Sequence, residues 1–291
     1  MRSKPLGPSV PPVSVVGYGG MHLSITDRPS DNESLRVIHA ALDTGMTLID
    51  TADAYCLDAS ETGHNERLIA RALRSWGGPR EQVLVATKGG IVRSGGRWDR
   101  DGSPAHLRAA CEASLRSLGV EQLALYQLHA PDPAVPFEES VGALAELRRA
   151  GKIRWVGLSN VSVEQIQRAA RIVPVVSVQN RLNPFFREAL LDGVVAFCAE
   201  QGIGFLAYSP TGGGRLTKKL PSHPVLLDIG RRVGATPHAV CLSWVLAQGA
   251  TVFAIPSARR IEHVQDSARA ADLALGAEEL SRITAAAFDR T

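Results

Sequence analysis

Seven times along this chain a short apolar, β-favouring run stops at a polar residue: TLID at Asp50, VLVAT at Lys88, LALYQL at His129, WVGL at Ser159, VVSV at Gln179, GFLA at Tyr208 and TVFAIP at Ser257. Between the runs lie amphipathic segments with helical periodicity. The expected helices are Asn32 to Thr44, Asn65 to Trp76, Pro104 to Leu118, Pro136 to Ala150, Val163 to Ile172, Leu190 to Glu200, Thr236 to Ala247, Arg260 to Ala270 and Ala277 to Phe288. Continuous apolar strands belong to parallel sheets covered on both faces, and strand followed by helix, eight times over, is the pattern of an α/β protein closed into a (β/α)8 TIM barrel. Glycines punctuate the expected helix ends, as in Thr44-Gly45, Leu118-Gly119, Ala150-Gly151 and Gln201-Gly202. In such a barrel the carboxyl ends of the strands converge on one mouth, so polar residues far apart in sequence share one pocket. That arrangement points to an enzyme.

The totals agree with one barrel. With 291 residues and 45% hydrophobic content the chain can bury a large core, and residues 1–291 read as a single domain with long loops at the mouth. A net charge of +3, without a basic stripe or aromatic interleaving, argues against nucleic acid as a partner. No apolar h-region opens the chain and no run of 18 uncharged apolar residues follows, so neither secretion nor a membrane is expected. Cys56, Cys111, Cys198 and Cys241 are scattered and fit free thiols in a reducing cytoplasm. Lysine stands only at positions 4, 88, 152, 218 and 219, against a strong arginine bias of the kind a GC-rich bacterial genome produces. At Lys88 the exception suggests chemistry, because an ammonium is compact and tunable where a guanidinium is neither.

The segment DTADAY carries Asp50 and Tyr55. A tyrosine hydroxyl ordinarily titrates near pH 10 and needs a cation beside it to trade protons at neutrality. Lys88, from the next strand end, can supply one: a unit charge about 4 Å away contributes on the order of 4 kcal/mol at an effective dielectric of 20, up to roughly three pKa units. Asp50 would hold that ammonium, and His129 could hydrogen-bond a carbonyl oxygen. Each residue alone has a plain structural reading, as a cap, a half-buried aromatic or a snorkelling strand end. Three successive strands ending in Asp, Lys and His, with Tyr in the loop after the first, form a set that packing alone has no reason to assemble.

Taken in order, LIDTADAY with GHNERLIARAL, VATKGG, YQLHAPDP, GKIRWVGLSN, VVSVQN, AYSP and IPSARRIEHV resemble the motifs of the aldo-keto reductase superfamily over almost the whole chain. The resemblance implies an (α/β)8 barrel, NADPH bound without a Rossmann domain, and a tetrad falling on Asp50, Tyr55, Lys88 and His129, with Tyr55 as general acid. It also implies that Ser159, Asn160 and Gln179 hold the nicotinamide carboxamide and that Tyr208 lies against the ring. Their amide, hydroxyl and aromatic groups suit those tasks.

For the phosphates, the loop Ser209 to His223 offers Ser209, Pro210, Gly212, Gly213, Gly214, Arg215, Lys218 and Lys219: glycines that let backbone N–H groups approach an anion, and cations that add charge. Ser257, Arg259 and Arg260 open the last barrel helix, where a 2′-phosphate could be clamped, which favours NADPH over NADH. His263 and Ser267 take the adenosine positions, departing from the Arg or Gln and the Asn common in the family, and Asp266 stands beside them. Residues after the final helix are too few to enclose substrate, so the pocket walls are expected from the mouth loops, with Cys56, Leu57, Trp98, Phe185 and Phe186 as apolar candidates.

Rival readings are weaker. GYGGMH, residues 17 to 22, lacks the last glycine of a dinucleotide fingerprint and reads as a bend after the first strand. His22, His64 and His129 lie in separate loops without metal-ligand spacing, so no metal is expected. Asp53 and Asp132 read as caps or solvated loop carboxylates. The leading function is NADPH-dependent reduction of a small-molecule aldehyde or ketone. A cofactor-binding sensor with slow turnover and a Schiff-base lyase using Lys88 are the alternatives. The sequence does not choose between monomer and homo-oligomer.

Overall fold

A computed structural model describes residues 1–291. Eight parallel strands form one sheet in chain order: β1 (Tyr18–Gly19), β2 (Leu48–Asp50), β3 (Leu84–Gly89), β4 (Leu123–Leu128), β5 (Ile153–Ser159), β6 (Val175–Arg181), β7 (Gly204–Tyr208) and β8 (Val252–Ile255). The sheet closes on itself where Val16 bridges Ala254 in parallel, with Gly17 N–H donating to Ala254 O at 2.8 Å and Gly19 N–H to Pro256 O at 2.9 Å. The expected bend at GYGGMH is therefore corrected, because Tyr18–Gly19 is itself the first barrel strand. Its short apolar run, broken by glycines, hides the strand from a periodicity reading.

Strand parity explains what reaches the mouth. Leu48, Leu84, Ala86, Leu125, Trp155, Leu206, Phe253 and Ile255 fill the barrel interior. Their neighbours Ile49, Tyr126, Val156, Leu158, Phe205 and Ala207 face the helices instead. Side chains alternate along a strand, so two residues beyond Leu48, Ala86 and Leu125 come Asp50, Lys88 and Gln127, and two beyond Leu206 comes Tyr208. The interior changes from apolar to polar at that level. Emptying one of its layers, as in Phe253→Ala, carries the usual core penalty of about 3–5 kcal/mol.

The other end is plugged by an antiparallel N-terminal hairpin, Ser3–Pro5 with Pro12–Ser14, whose Leu6, Val10 and Val13 join the interior cluster. Backbone meets backbone there: a Cβ on Gly204 would stand 2.0 Å from Leu6 O. Chemistry is thereby confined to the mouth.

Helices between the strands match their expected spans to within a residue or two, helped by caps such as Ser30 with Glu33, Ser103 before Pro104, and Ser162 with Gln165. Three differ. The expected helix Leu190 to Glu200 is two, Glu188–Leu191 and Val194–Glu200, separated by Gly193 at φ 80°. A helix Pro224–Val233, absent from the sequence expectation, follows the long loop and buries Leu226 and Ile229. The last helix ends at Ala285, short of Phe288, and residues 286–291 return across the loop after β7 as a strap. No helix is long and apolar enough to cross a membrane.

Candidate active site

Asp50, Tyr55, Lys88 and His129 meet at the barrel mouth. Lys88, fully buried, donates from Nζ to Asp50 Oδ2 at 2.7 Å, Thr51 O at 2.9 Å and Tyr55 Oη at 2.9 Å. All three ammonium hydrogens are engaged. The Asp50 carboxylate is gripped from its other side as well, with Gln179 Nε2 donating to Oδ1 at 2.7 Å and Gln127 Nε2 at 3.5 Å from the same oxygen. The His129 ring stands edge-on to the Tyr55 ring, centroids 5.7 Å apart. Asn160 Nδ2 anchors the His129 backbone carbonyl at 3.0 Å.

The electrostatics correct one expectation. Burial first, then Asp50, pushes the Tyr55 hydroxyl well above its ordinary value, so the lowering expected from Lys88 does not govern the site. Desolvation of the phenolate outweighs the neighbouring cation because Lys88 already spends its charge on Asp50. Burial also lowers Lys88 against the opposing pull of Asp50. His129 is pushed well below the ordinary histidine range by burial and by Lys88, so its ring is neutral. A protonated phenol, an ammonium and a neutral imidazole are a set of donors ready for a carbonyl oxygen.

Beside this cluster Ser159 Oγ donates to Gln179 O at 2.8 Å. Asn160, in the left-handed region at φ 58°, accepts from Tyr208 Oη at 2.8 Å. Gln179 commits one amide hydrogen to Asp50, which makes it a brace for the buried carboxylate. Nothing in the sequence pairs positions 50 and 179, since the contact crosses the barrel interior.

The loop after β7 turns repeatedly into the left-handed region. Ser209, Gly212, Gly213 and Gly214 all have positive φ, at 48°, 100°, 68° and 48°, a concave run of the kind that receives anions. Pro210 is buried, its carbonyl near Cys241 Sγ at 3.4 Å. The cations of the loop face elsewhere. Arg215 donates to Arg290 O at 2.7 Å, and Lys219 to Asp289 O at 3.3 Å and to Thr291 O, so both hold the C-terminal strap while Lys218 stays exposed.

After β8, Ser257 Oγ donates to Gly19 O at 2.7 Å, and Arg259 to His22 O at 3.3 Å and Thr26 O at 3.0 Å. Arg260 is exposed, its only carboxylate neighbour being Glu262 at 3.9 Å. Arg259 and Arg260 line a cleft of about 400 Å³ whose far wall carries Arg36, Asp27 and Glu33. His263 is exposed and Ser267 half-buried on the next helix, while Asp266 accepts from Thr236 Oγ1 at 2.6 Å.

Of the expected wall residues, Trp98 stands exposed at the mouth with its ring 6.4 Å from that of Tyr55, and Leu57 is exposed on the neighbouring loop. Cys56 is fully buried, its thiol pushed up to about 11 by burial. Phe185 packs on Phe288, centroids 5.1 Å apart, and Phe186 lies under Arg181 and Arg290, so both belong to the strap contact. Asp53 is buried, not solvated, and its carboxyl is pushed well above the usual range by burial and by Glu66. Asp132 caps Gly102 and Ala134 N–H groups, as expected. Four residues escaped the sequence reading: Arg93, buried against the Tyr55 loop, Asn65, which joins Thr51, Gly20 and Ser24, Gln127 beside Asp50, and Glu66 behind Thr87.

A parallel barrel with its polar side chains gathered at the carboxyl mouth is an enzyme scaffold. The sequence profile of the aldo/keto reductase family matches residues 15–287, and the chain belongs to that family. An uncharacterized oxidoreductase of Schizosaccharomyces pombe is 33% identical over 276 residues, covering 93% of this chain and 86% of the relative. Among solved structures, the glycerol dehydrogenase of Gluconobacter oxydans superposes with a TM-score of 0.83 at 30% identity, covering 98% of this chain and 97% of its own. An aldo-keto reductase of Klebsiella pneumoniae in complex with NADPH gives 0.82 at 28% identity, covering 97% and 94%.

Proposed function

We propose that the chain is an NADPH-dependent carbonyl reductase acting on a small aldehyde or ketone. The observation that carries this reading is the placement of Tyr55 Oη 2.9 Å from a fully buried ammonium that Asp50 holds at 2.7 Å. The NADPH bound to the Klebsiella relative supports the choice of cofactor. The residues present fit that group: Ser159 and Asn160 offer polar atoms beside Tyr208, the glycines after Ser209 curve for phosphates, and the Arg259–Arg260 cleft suits a 2′-phosphate.

Bound NADPH would supply the hydride. The remaining work falls to the chain. Tyr55 keeps its proton because burial disfavours the phenolate, and it gives that proton to the carbonyl oxygen as negative charge develops there. Lys88, already donating to Tyr55 Oη, stabilises the phenolate at the moment it forms, an interaction stronger in the transition state than before it. His129, neutral and edge-on to Tyr55, can donate to the same oxygen without surrendering its proton at once. Asp50, Gln179 and Gln127 keep Lys88 charged and fixed.

The lyase alternative fails on geometry. An amine that attacks a carbonyl needs a free lone pair and access, and Lys88 is wholly buried with three acceptors around it. Tyr55→Phe should bind NADPH with unchanged affinity yet lose at least about 100-fold in turnover against a panel of aldehydes and ketones. Turnover by Tyr55→Phe at the wild-type rate would remove Tyr55 from the mechanism.

A further inference from the structure

Arg93 is the one buried arginine at the mouth without a carboxylate partner. It follows the first strand of a short hairpin, Ile91–Val92 with Asp99–Arg100, that stands over the barrel mouth. Only 7% of it is exposed, so its charge is stripped of water. Four backbone carbonyls surround it instead: Nη1 donates to Cys56 O at 2.7 Å and approaches Ala54 O at 3.4 Å, and Nη2 donates to Leu57 O at 3.0 Å and Gly96 O at 2.8 Å. The Trp98 ring covers the guanidinium, 3.8 Å from its carbon.

Three of those carbonyls come from one loop and bracket Tyr55, with Ala54 before it and Cys56 and Leu57 after. The fourth comes from the hairpin. Only a planar fork of donors can satisfy acceptors spread across two loops in this way; a lysine ammonium presents three hydrogens from a single point. Burying an unpaired cation is costly, and here the carbonyl dipoles of the Tyr55 loop offset that cost only in this arrangement. The loop and the hairpin are thus locked together through one side chain, and Trp98, edge-on to Tyr55, is locked with them.

We propose that Arg93 is a positioning residue for Tyr55: its guanidinium clamps the backbone on both sides of Tyr55, sets Oη against Lys88 and the reacting carbonyl, and seats Trp98 as the outer wall of the pocket. The proposal rests on the reductase reading above. Without the clamp the loop loses three fixed carbonyls, and displacement of a reacting group by about 1 Å is worth on the order of 100-fold in rate.

Arg93→Met, Arg93→Lys and Tyr55→Phe are assayed together by NADPH oxidation with an aldehyde the wild-type protein reduces, alongside NADPH affinity from fluorescence titration. Both Arg93 variants should keep NADPH affinity within twofold while kcat falls about 10- to 100-fold, with lysine recovering only a small part. The high-pH limb of kcat should move to higher pH as Tyr55 drifts from the Lys88 ammonium. In a third Arg93 variant, Arg93→Ala, which leaves room for the missing group, millimolar methylguanidinium should restore part of kcat, and it should restore none to Tyr55→Phe. If Arg93→Met does not fold, Arg93→Lys, which retains stem and charge, carries the same comparison. The proposal is overturned by Arg93 variants whose kcat matches wild type, or whose NADPH affinity and kcat fall in proportion, while Tyr55→Phe is inactive. An active Tyr55→Phe overturns the reductase reading instead.

Discussion

The two sides of the mouth are held by different means. Around Asp50 most of the side chains grow from strand ends, with Tyr55 from the loop after β2, their exposures run from 0% at Lys88 to 8% at His129, and the polar contacts come from β3 beside Asp50 and from β4 and β6 across the barrel interior. Around Ser209 to His223 the backbone is set by four residues with positive φ, and the cations reach some seventy positions along the chain to a terminal strap. One side is placed by the hydrogen-bond register of the sheet and, at the Tyr55 loop, by the buried Arg93. The other is placed by exposed contacts that can come apart singly. Under the proposed function, proton transfer tolerates little displacement whereas a cofactor must enter and leave, and the two constructions suit those different demands.

The largest test of that contrast is at the two kinds of lysine. Lys88→Met leaves Asp50 buried without its cation, which should cost about 3–5 kcal/mol of stability and reduce turnover by on the order of 1000-fold. Lys218→Met, on the exposed loop, should change stability by less than about 0.5 kcal/mol. Urea denaturation and NADPH oxidation of both variants measure the difference. Equal losses at the two positions would dissolve the distinction between a buried, register-held half and a wet, loop-held one.

A second test uses pH. Glu66 lies at the first turn of the helix His64–Ser75, fully buried behind β3, and accepts from Thr87 Oγ1 at 2.6 Å. Burial raises its carboxyl from 4.5 to about 7 despite the Thr87 bond. The folded chain therefore holds this proton more tightly than the unfolded one. Its contribution to stability falls as pH rises from about 4.5 to about 7, by on the order of 3 kcal/mol, and the whole penalty stands above pH 7. Glu66→Gln keeps the acceptor for Thr87 and should flatten that slope, making the variant the more stable protein at pH 8. Asp289 on the strap has the opposite sign: Thr291 and Lys219 hold its carboxyl below the usual range, so its small contribution is present above pH 4 and lost as pH falls. Parallel stability slopes for wild type and Glu66→Gln between pH 5 and 7 would show that the region behind Lys88 is wet after all.

What could be read in the sequence follows the same division. Asp50, Lys88 and Tyr208 were legible because each stands where a short apolar, β-favouring run stops at a polar residue. The rise of the Tyr55 hydroxyl was not, since a residue string shows the neighbouring lysine but not how much water is excluded. Gln179 looked like a ligand for a carboxamide; its grip on Asp50 spans 129 positions and depends on barrel closure. Arg93 was invisible for another reason, because its partners are backbone carbonyls that every residue carries. Nothing in the residue string marks Glu66, and only the docking of its helix on Thr87 distinguishes it from a solvated first-turn acid. The strap was missed because the last helix stops three residues before Phe288, leaving an aromatic and an arginine free to turn back.

That strap gives the smallest and most discriminating test. Phe288 stacks on His223 with centroids 4.1 Å apart and meets the Phe185 ring edge-on at 5.1 Å, while Arg290 donates to Phe185 O at 2.6 Å and Glu188 at 2.8 Å. Phe288→Ala removes both aromatic contacts without touching a group near Tyr55. If the loop after β7 is ordered from its outer side by these contacts, its amides should exchange faster in the variant, and NADPH affinity should weaken a few-fold, about 0.5–1 kcal/mol. Turnover at saturating NADPH should stay at the wild-type value, because the Lys88 cluster is held by the strand ends and by the Arg93 clamp on the Tyr55 loop, neither of which touches the strap. A fall in kcat of the size expected for Lys88→Met would mean that the strap and the buried half move as one body, and the contrast between them would have to be given up.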